Sequence, residues 1–253
     1  MDEIFLSVVI PSYNEKANLQ KGVLDKVNKY LSKQKFNYEV IISDDGSTDG
    51  SLTCEEKFAK ENPDNFRVIK NEHLGKAGAV TAGMLEAKGK FVLFTDMDQA
   101  TPIEELEKLL PFLNKYEIVI GSRSTTRKGA PWTRQLMANG MIMLRTLIVG
   151  IRGVKDTQCG FKIFRKDVSD DLFSKLKKFH HGYKRISGSS VKAGFDVELL
   201  FLATKSGYKI KEVPVDWLYV ETRRVSPIKD SLEAMEDLFI IKKNNLLGKY
   251  NNL

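Results

Sequence analysis

Four short apolar runs, each closed by a polar cluster and separated by helical patterns, dominate the first 120 residues. Residues 7–10, 40–43, 68–70 and 91–95 are continuously apolar or nearly so, as expected of strands covered on both faces in a parallel sheet. Between them Leu19, Val23, Val27, Tyr30 and Leu31 recur at helical spacing and predict one helix, and residues 52–60 and 77–87 predict two more. This βαβαβ order points to an α/β fold: a Rossmann-like, mostly parallel central sheet flanked by helices. Ligands in such folds sit beyond the carboxyl ends of the strands. Three polar clusters fall at those ends: Pro11-Ser12-Tyr13-Asn14-Glu15, Asp44-Asp45-Gly46-Ser47-Thr48-Asp49 and Asp96-Met97-Asp98.

From Ile118 the pattern changes. A strand over 118–121 leads into a basic loop over 122–133, an apolar stretch over 136–151, the string DTQCGFKIFRK, and a segment rich in Lys, His, Gly and Ser. A helix over 197–204, a strand over 209–215, a loop around 222–227 and an amphipathic helix over 230–247 finish the chain. No linker-like boundary interrupts it, so residues 1–253 read as a single domain, with a nucleotide-binding half (1–120) and a second half (121–253) built over its edge. Charge follows the same division. Residues 1–120 carry 15 Lys+Arg against 20 Asp+Glu, a balance of −5, whereas 121–253 carry 25 against 13, a balance of +12. The second half therefore calls for an anionic partner: a nucleic acid, an anionic membrane surface or a phosphorylated substrate. The basic half contains no nucleic-acid-binding motif, which argues against that partner.

The apolar stretch over 136–151 is interrupted by Arg145 and falls short of a membrane span. The N-terminus starts acidic and does not resemble a signal peptide. Two cysteines, Cys54 and Cys159, are too few for a disulfide framework or a zinc site, and a reducing cytoplasm is the expected compartment.

Asp96 and Asp98 reach a strand end together, and hard oxygen donors so placed suit Mg²⁺ or Mn²⁺ bridging to phosphates. A solvated loop with Asp98 as a helix cap is the alternative. Asp44 and Asp45 end another strand, where a nucleotide's base or ribose could donate to them. Gly75 to Ala79 open a helix whose amides, with Lys76, could meet a pyrophosphate.

Taken together, VVIPSYNEKANL, VIISDDGSTDGS, LGKAGAVTAGM and FTDMDQATP resemble, in order and approximate spacing, the GT-A nucleotide-diphospho-sugar glycosyltransferases of family 2. Further on, IGSR, RKGAP, VKDTQCGFKIF, GFDVELLFLA and GYKIKEVPVDW are similar to its polyprenyl-phosphate (dolichyl-phosphate) hexosyltransferase branch. DMDQATP and DTQCGFK look more like the glucosyltransferases of that branch than its mannose synthases, in which a Gln occupies the place of Ala100. The resemblance implies inverting transfer of a hexose, with glucose from UDP-glucose ahead of mannose from GDP-mannose, to a polyprenyl phosphate. It implies donor contacts from Pro11, Tyr13, Asn14, Glu15, Asp45, Lys76, Asp96, Met97 and Asp98, with Asp96 and Asp98 holding the metal. Arg123, Arg134 and Arg224 would surround the acceptor phosphate, with Arg127 and Lys128 as weaker candidates. The catalytic set is Asp98, Asp156, Arg123 and Arg134.

Asp156, Asp196 and Glu198 are the other acids of interest. One of them would be the general base if the acceptor were a sugar hydroxyl, whereas a lipid phosphate needs positioning more than deprotonation. Asp156 could equally orient the acceptor or the donor sugar, or bond to nearby backbone. Residues 178–194, containing His180 and His181, look like an insertion. The stretches over 136–153 and 237–250 combine apolar faces with basic residues, as interfacial helices and packed core helices both do. The chain is expected to work at the cytoplasmic face of a membrane as a peripheral protein. Thr222-Arg223-Arg224 replaces the family's Gly-Ser turn, and Met97 replaces a small residue.

Overall fold

A computed structural model describes residues 3–123, 132–180, 194–218 and 227–251. The elements of the first half are β1 (Leu6–Ser12), α1 (Lys16–Gln20), α2 (Val23–Leu31), β2 (Tyr38–Asp44), α3 (Ser51–Glu61), β3 (Phe66–Lys70), α4 (Gly75–Glu86), β4 (Phe91–Thr95) and α5 (Leu106–Leu109). The second half adds β5 (Ile118–Arg123), α6 (Trp132–Val149), β6 (Phe161–Arg165), α7 (Lys166–Phe179), α8 (Gly194–Lys205), β7 (Ile210–Val215) and α9 (Pro227–Leu246). Both halves share one seven-stranded sheet of order β3-β2-β1-β4-β6-β5-β7.

The strands read as unbroken apolar runs because both faces of the sheet are covered. Val9, Ile41, Val92, Phe94 and Ile120 point to one side, against Val80 and Met84 of α4, Phe173 of α7 and Leu199 of α8. Their neighbours Val8, Ile10, Val40, Ile42, Leu93 and Val119 point to the other, against Leu24, Val27 and Leu31 of α2 and Leu106 of α5. Successive strand residues face opposite ways, so two apolar layers demand a run rather than an alternation.

One expectation is corrected here, and two stretches left without an assigned element gain one. The single helix expected over 19–31 is split into α1 and α2 at Gly22, whose φ of +70° is a left-handed conformation that glycine adopts without strain. The apolar stretch over 136–151 lies mostly within α6, which begins earlier, at Trp132. The string FKIFR, whose pattern points to no particular element, is strand β6, and the Lys-rich segment after it is α7.

β6 matters most for the site. β1, β2, β4 and β3 run parallel, as do β5 and β7, but β6 is antiparallel to both β4 and β5. Thr95 pairs with Phe161, so the start of β6 lies at the edge where β4 ends. Reversal of this one strand brings Asp156 to Gly160, and Arg123 at the end of β5, to the same edge as the three polar clusters.

Candidate active site

At that edge an open cleft with about 740 Å³ of empty space is lined by Pro11, Ser12, Tyr13, Glu15, Asp45, His73, Gly75, Lys76, Ala79, Asp96, Met97 and Asp98. Eight of the nine expected donor residues are among them. Asn14 is the exception: it is exposed, has a left-handed φ of 55°, and its Oδ1 accepts the Thr48 N–H at 2.8 Å. It ties the end of β1 to the loop after β2.

Asp45 is engaged by its own chain. Its carboxylate accepts the N–H groups of Leu74 (2.8 Å) and Gly75 (2.9 Å) and lies 2.7 Å from His73 Nδ1, so it anchors the turn that opens α4. His73, which stands outside every motif of the sequence, stacks on Tyr13 with ring centroids 4.0 Å apart and planes 9° from parallel. Beneath this pair, Ser12 donates to Glu55 Oε1 in the protein interior. Burial, with Asp44, Asp49 and Glu15 adding to it, pushes the Glu55 carboxyl up to about 7.

The Asp96-Met97-Asp98 turn follows β4 directly. Met97 is 2% exposed and packs in the apolar layer that includes Cys159 and Phe161, and burying it leaves the acids on either side of it lining the cleft. Asp98 Oδ1 accepts the Ala100 N–H at 3.0 Å. Gln99, at a left-handed φ of 49°, braces the turn by donating from Nε2 to the Asp96 carbonyl at 2.8 Å. A Cβ at position 160 would collide with the Asp96 carboxylate, so glycine there lets the carboxylate keep this position. Lys76, on the first turn of α4, reaches Asp96 Oδ1 at 2.5 Å.

On the acceptor side the acids are paired. Arg123 grips Asp156 through Nε (2.7 Å) and Nη2 (2.8 Å), and its backbone N–H adds a third bond to the same carboxylate. The Trp217 ring lies 6.0 Å from the guanidinium. Lys162, fully buried in the middle of β6, donates to Asp196 Oδ1 at 2.5 Å and to the Cys159 carbonyl at 2.6 Å. Glu198 lies 2.6 Å from His180 Nε2 and accepts the Tyr250 hydroxyl at 2.5 Å.

Residues 7–173 match the family model for glycosyl transferase family 2. The chain is 36% identical to a dolichyl-phosphate beta-glucosyltransferase of Saccharomyces cerevisiae, over 99% of this chain and 78% of that protein. It is 33% identical to the Homo sapiens protein of the same name, over 97% and 77%. The chain belongs to glycosyl transferase family 2. A solved neighbour of this glycosyltransferase is glucosyl-3-phosphoglycerate synthase from Mycobacterium tuberculosis, in complex with Mn²⁺, UDP and glucosyl-3-phosphoglycerate. It superposes with a TM-score of 0.58 at 19% identity, covering 95% of this chain and 80% of that one, and the fold is GT-A.

The electrostatics of the transferase differ across the cleft. Burial raises the Asp98 carboxyl and the repulsion of Asp96 adds to it. Glu15 is raised by burial and then by Asp98, Asp96 and Asp49, against the Asn18 hydrogen bond. Burial opposes the charge on Lys76, but Asp96, Asp196 and Asp98 outweigh it and hold the ammonium up at about 12. Burial would also raise Asp156, yet Arg123 prevails and keeps it below the usual carboxylate range. Arg127, Lys128, His181 and Arg224, and the side chain of Arg134, lie outside the described residues. Sequence reasoning misses His73, Gln99, Ser12 with Glu55, and Gly160. His73, Ser12 with Glu55, and Gly160 act through partners from other elements, whereas Gln99 bonds back to Thr95 and Asp96 of its own turn.

Proposed function

We propose that this glycosyltransferase moves glucose from UDP-glucose to the phosphate of a polyprenyl or dolichyl phosphate, with inversion, at the cytoplasmic face of a membrane. The observation that carries this reading is that Asp156, Asp196 and Glu198 each commit their carboxylate to a basic or phenolic partner. A sugar-hydroxyl acceptor would need one of them as a base. A lipid phosphate is already an anion: its oxygen attacks the anomeric carbon, the bond to the diphosphate breaks, and the electron pair leaves with UDP. No proton has to move. An α-linked donor gives a β-linked product, in keeping with the names of the relatives.

Asp96 and Asp98 fit Mg²⁺ or Mn²⁺, because two oxygen donors line an acid-rich cleft open enough for diphosphate and water to complete the shell. Bound there, the ion supplies charge stabilisation to the departing diphosphate. Tyr13 and His73 flank the nucleoside, while Lys76 and the N-terminal turn of α4 face the phosphates. Asp156 fixes the Arg123 fork for the acceptor phosphate, and Arg134 and Arg224 complete that set.

Among the described residues no helix is long and apolar enough to cross a membrane. Exposed apolar side chains supply surface contact instead: Met143 and Leu147 on α6, which packs against α9, and Phe239, Ile240 and Leu246 on α9. Lys242 and Lys243 lie among them on α9, suited to anionic headgroups.

The test incubates purified protein with Mg²⁺ or Mn²⁺, a polyprenyl phosphate, and labelled UDP-glucose or GDP-mannose in parallel. Organic-extractable label from UDP-glucose is expected. Label delivered by GDP-mannose alone would overturn the sugar, and metal-dependent UDP binding without lipid label would overturn the acceptor.

A further inference from the structure

The carboxylate assigned to the divalent cation already has a cation on it. Lys76 Nζ sits 2.5 Å from Asp96 Oδ1, with the lysine side chain 23% exposed and the aspartate 34% exposed, inside the donor cleft. A fixed structural ion pair at this position would leave Asp96 neutralised and poorly able to bind a metal. One of the two groups therefore has to give way.

Their surroundings decide which one. Asp96 is seated against Gly160, where an added methyl group would displace its carboxylate, and its backbone carbonyl is held by Gln99. Lys76 stands on a flexible four-carbon stem at the first turn of α4. The ammonium has four rotatable bonds through which to swing away, whereas the carboxylate has two and is backed by the Gly160 backbone. A nucleoside diphosphate entering the cleft brings the anionic oxygens that would receive the ammonium.

We propose that Lys76 is an exchangeable counter-ion: it holds Asp96 while the cleft is empty, and on arrival of a nucleoside diphosphate it transfers to the phosphates and releases Asp96 to the divalent cation. This rests on the reading of the cleft as the donor site. Lys76 then opposes metal binding on its own and favours nucleotide binding, so that metal and nucleotide enter together. The exchange balances charge at each stage, since the lysine leaves one anion for another and the metal takes its place.

The prediction is a pair of effects of opposite sign. Mn²⁺ binding to the full chain is read from the free-ion electron paramagnetic resonance signal without nucleotide, and UDP binding is read by calorimetry without metal. In Lys76→Met, Mn²⁺ alone is expected to bind about tenfold more tightly and UDP alone about tenfold more weakly, within the usual range of site-to-site coupling. Lys76→Arg, which keeps the charge, is expected to retain weak Mn²⁺ binding, and thermal melting checks that both variants are folded. Weaker UDP binding with unchanged Mn²⁺ binding would make Lys76 a plain phosphate ligand and overturn the exchange. Loss of both would make it a structural partner of Asp96 and would overturn the exchange equally. If the unaltered chain binds neither UDP nor Mn²⁺ in the presence of UDP, the donor-site reading itself fails and the inference falls with it.

Discussion

In the donor half, Glu15, Asp96 and Asp98 gather around one open cleft with the Lys76 ammonium in contact. In the acceptor half, Asp156, Asp196 and Glu198 each close on Arg123, Lys162, or His180 with Tyr250. Both regions bury carboxylates, but only the first leaves them in mutual repulsion. Acids left short of partners mark a place that a cation completes, whereas acids saturated by hydrogen-bond partners make rigid supports. The chain charges agree: the half with the unbalanced acids is net negative, and the half with the saturated ones has basic residues to spare.

The comparison breaks most sharply at Asp98. Asp98→Ala removes half of the metal pair and is expected to lower transfer by about 10²–10³-fold, the scale of losing one transition-state charge contact, with an unchanged melting temperature. Retained activity would remove the metal assignment. Glu55→Gln tests the cost of burying a carboxylate beside the cleft, to which the charges of Asp44, Asp49 and Glu15 add. Glu55 takes up its proton at about 7 in the folded chain and near 4.5 in the unfolded one. Its contribution to stability is therefore complete below about pH 4.5 and is lost as the pH rises through 7. The amide keeps an acceptor for the Ser12 hydroxyl and abolishes that loss, so at pH 8 the variant should gain roughly 2–3 kcal/mol over the unaltered chain, read by urea unfolding at pH 5 and pH 8. Equal pH slopes for the two proteins would show that the carboxyl is already ionised at pH 5. The smallest effect is expected at Asp156. Asp156→Asn loosens the grip on Arg123 and should raise KM for the lipid phosphate about tenfold, following the loss of a charge-assisted bond, with UDP binding and the pH profile of kcat unchanged. A lost limb in that profile would restore Asp156 as a base.

How far the sequence speaks also differs between the halves. The strand ends of the first half are legible because each apolar run stops at its polar cluster, and β1, β2 and β4 do end there. β6 is not legible, since Lys162 breaks the apolar run and its partner Asp196 lies 34 residues away. Asp45 shows the complementary failure. Its place at a strand end can be read directly, but its carboxylate is taken up by Leu74, Gly75 and His73, residues that reach it only once β2 and α4 are assembled. The Tyr13–His73 stack is illegible for the same reason, joining the ends of β1 and β3.

The contact of Gly160 with Asp96 has a consequence for how such a protein could be divided. The first 120 residues contain the strands and motifs of a nucleotide site and invite excision as a stand-alone module. Yet the floor under Asp96 is a glycine contributed by the second half, delivered by a strand that runs against its neighbours. A shortened chain ending after β4 would expose one flank of that strand and leave Asp96 without the Gly160 backbone it packs against. The donor site and the acceptor platform are in this sense inherited together, and a recombination point near residue 120 would cut through the site rather than between two modules.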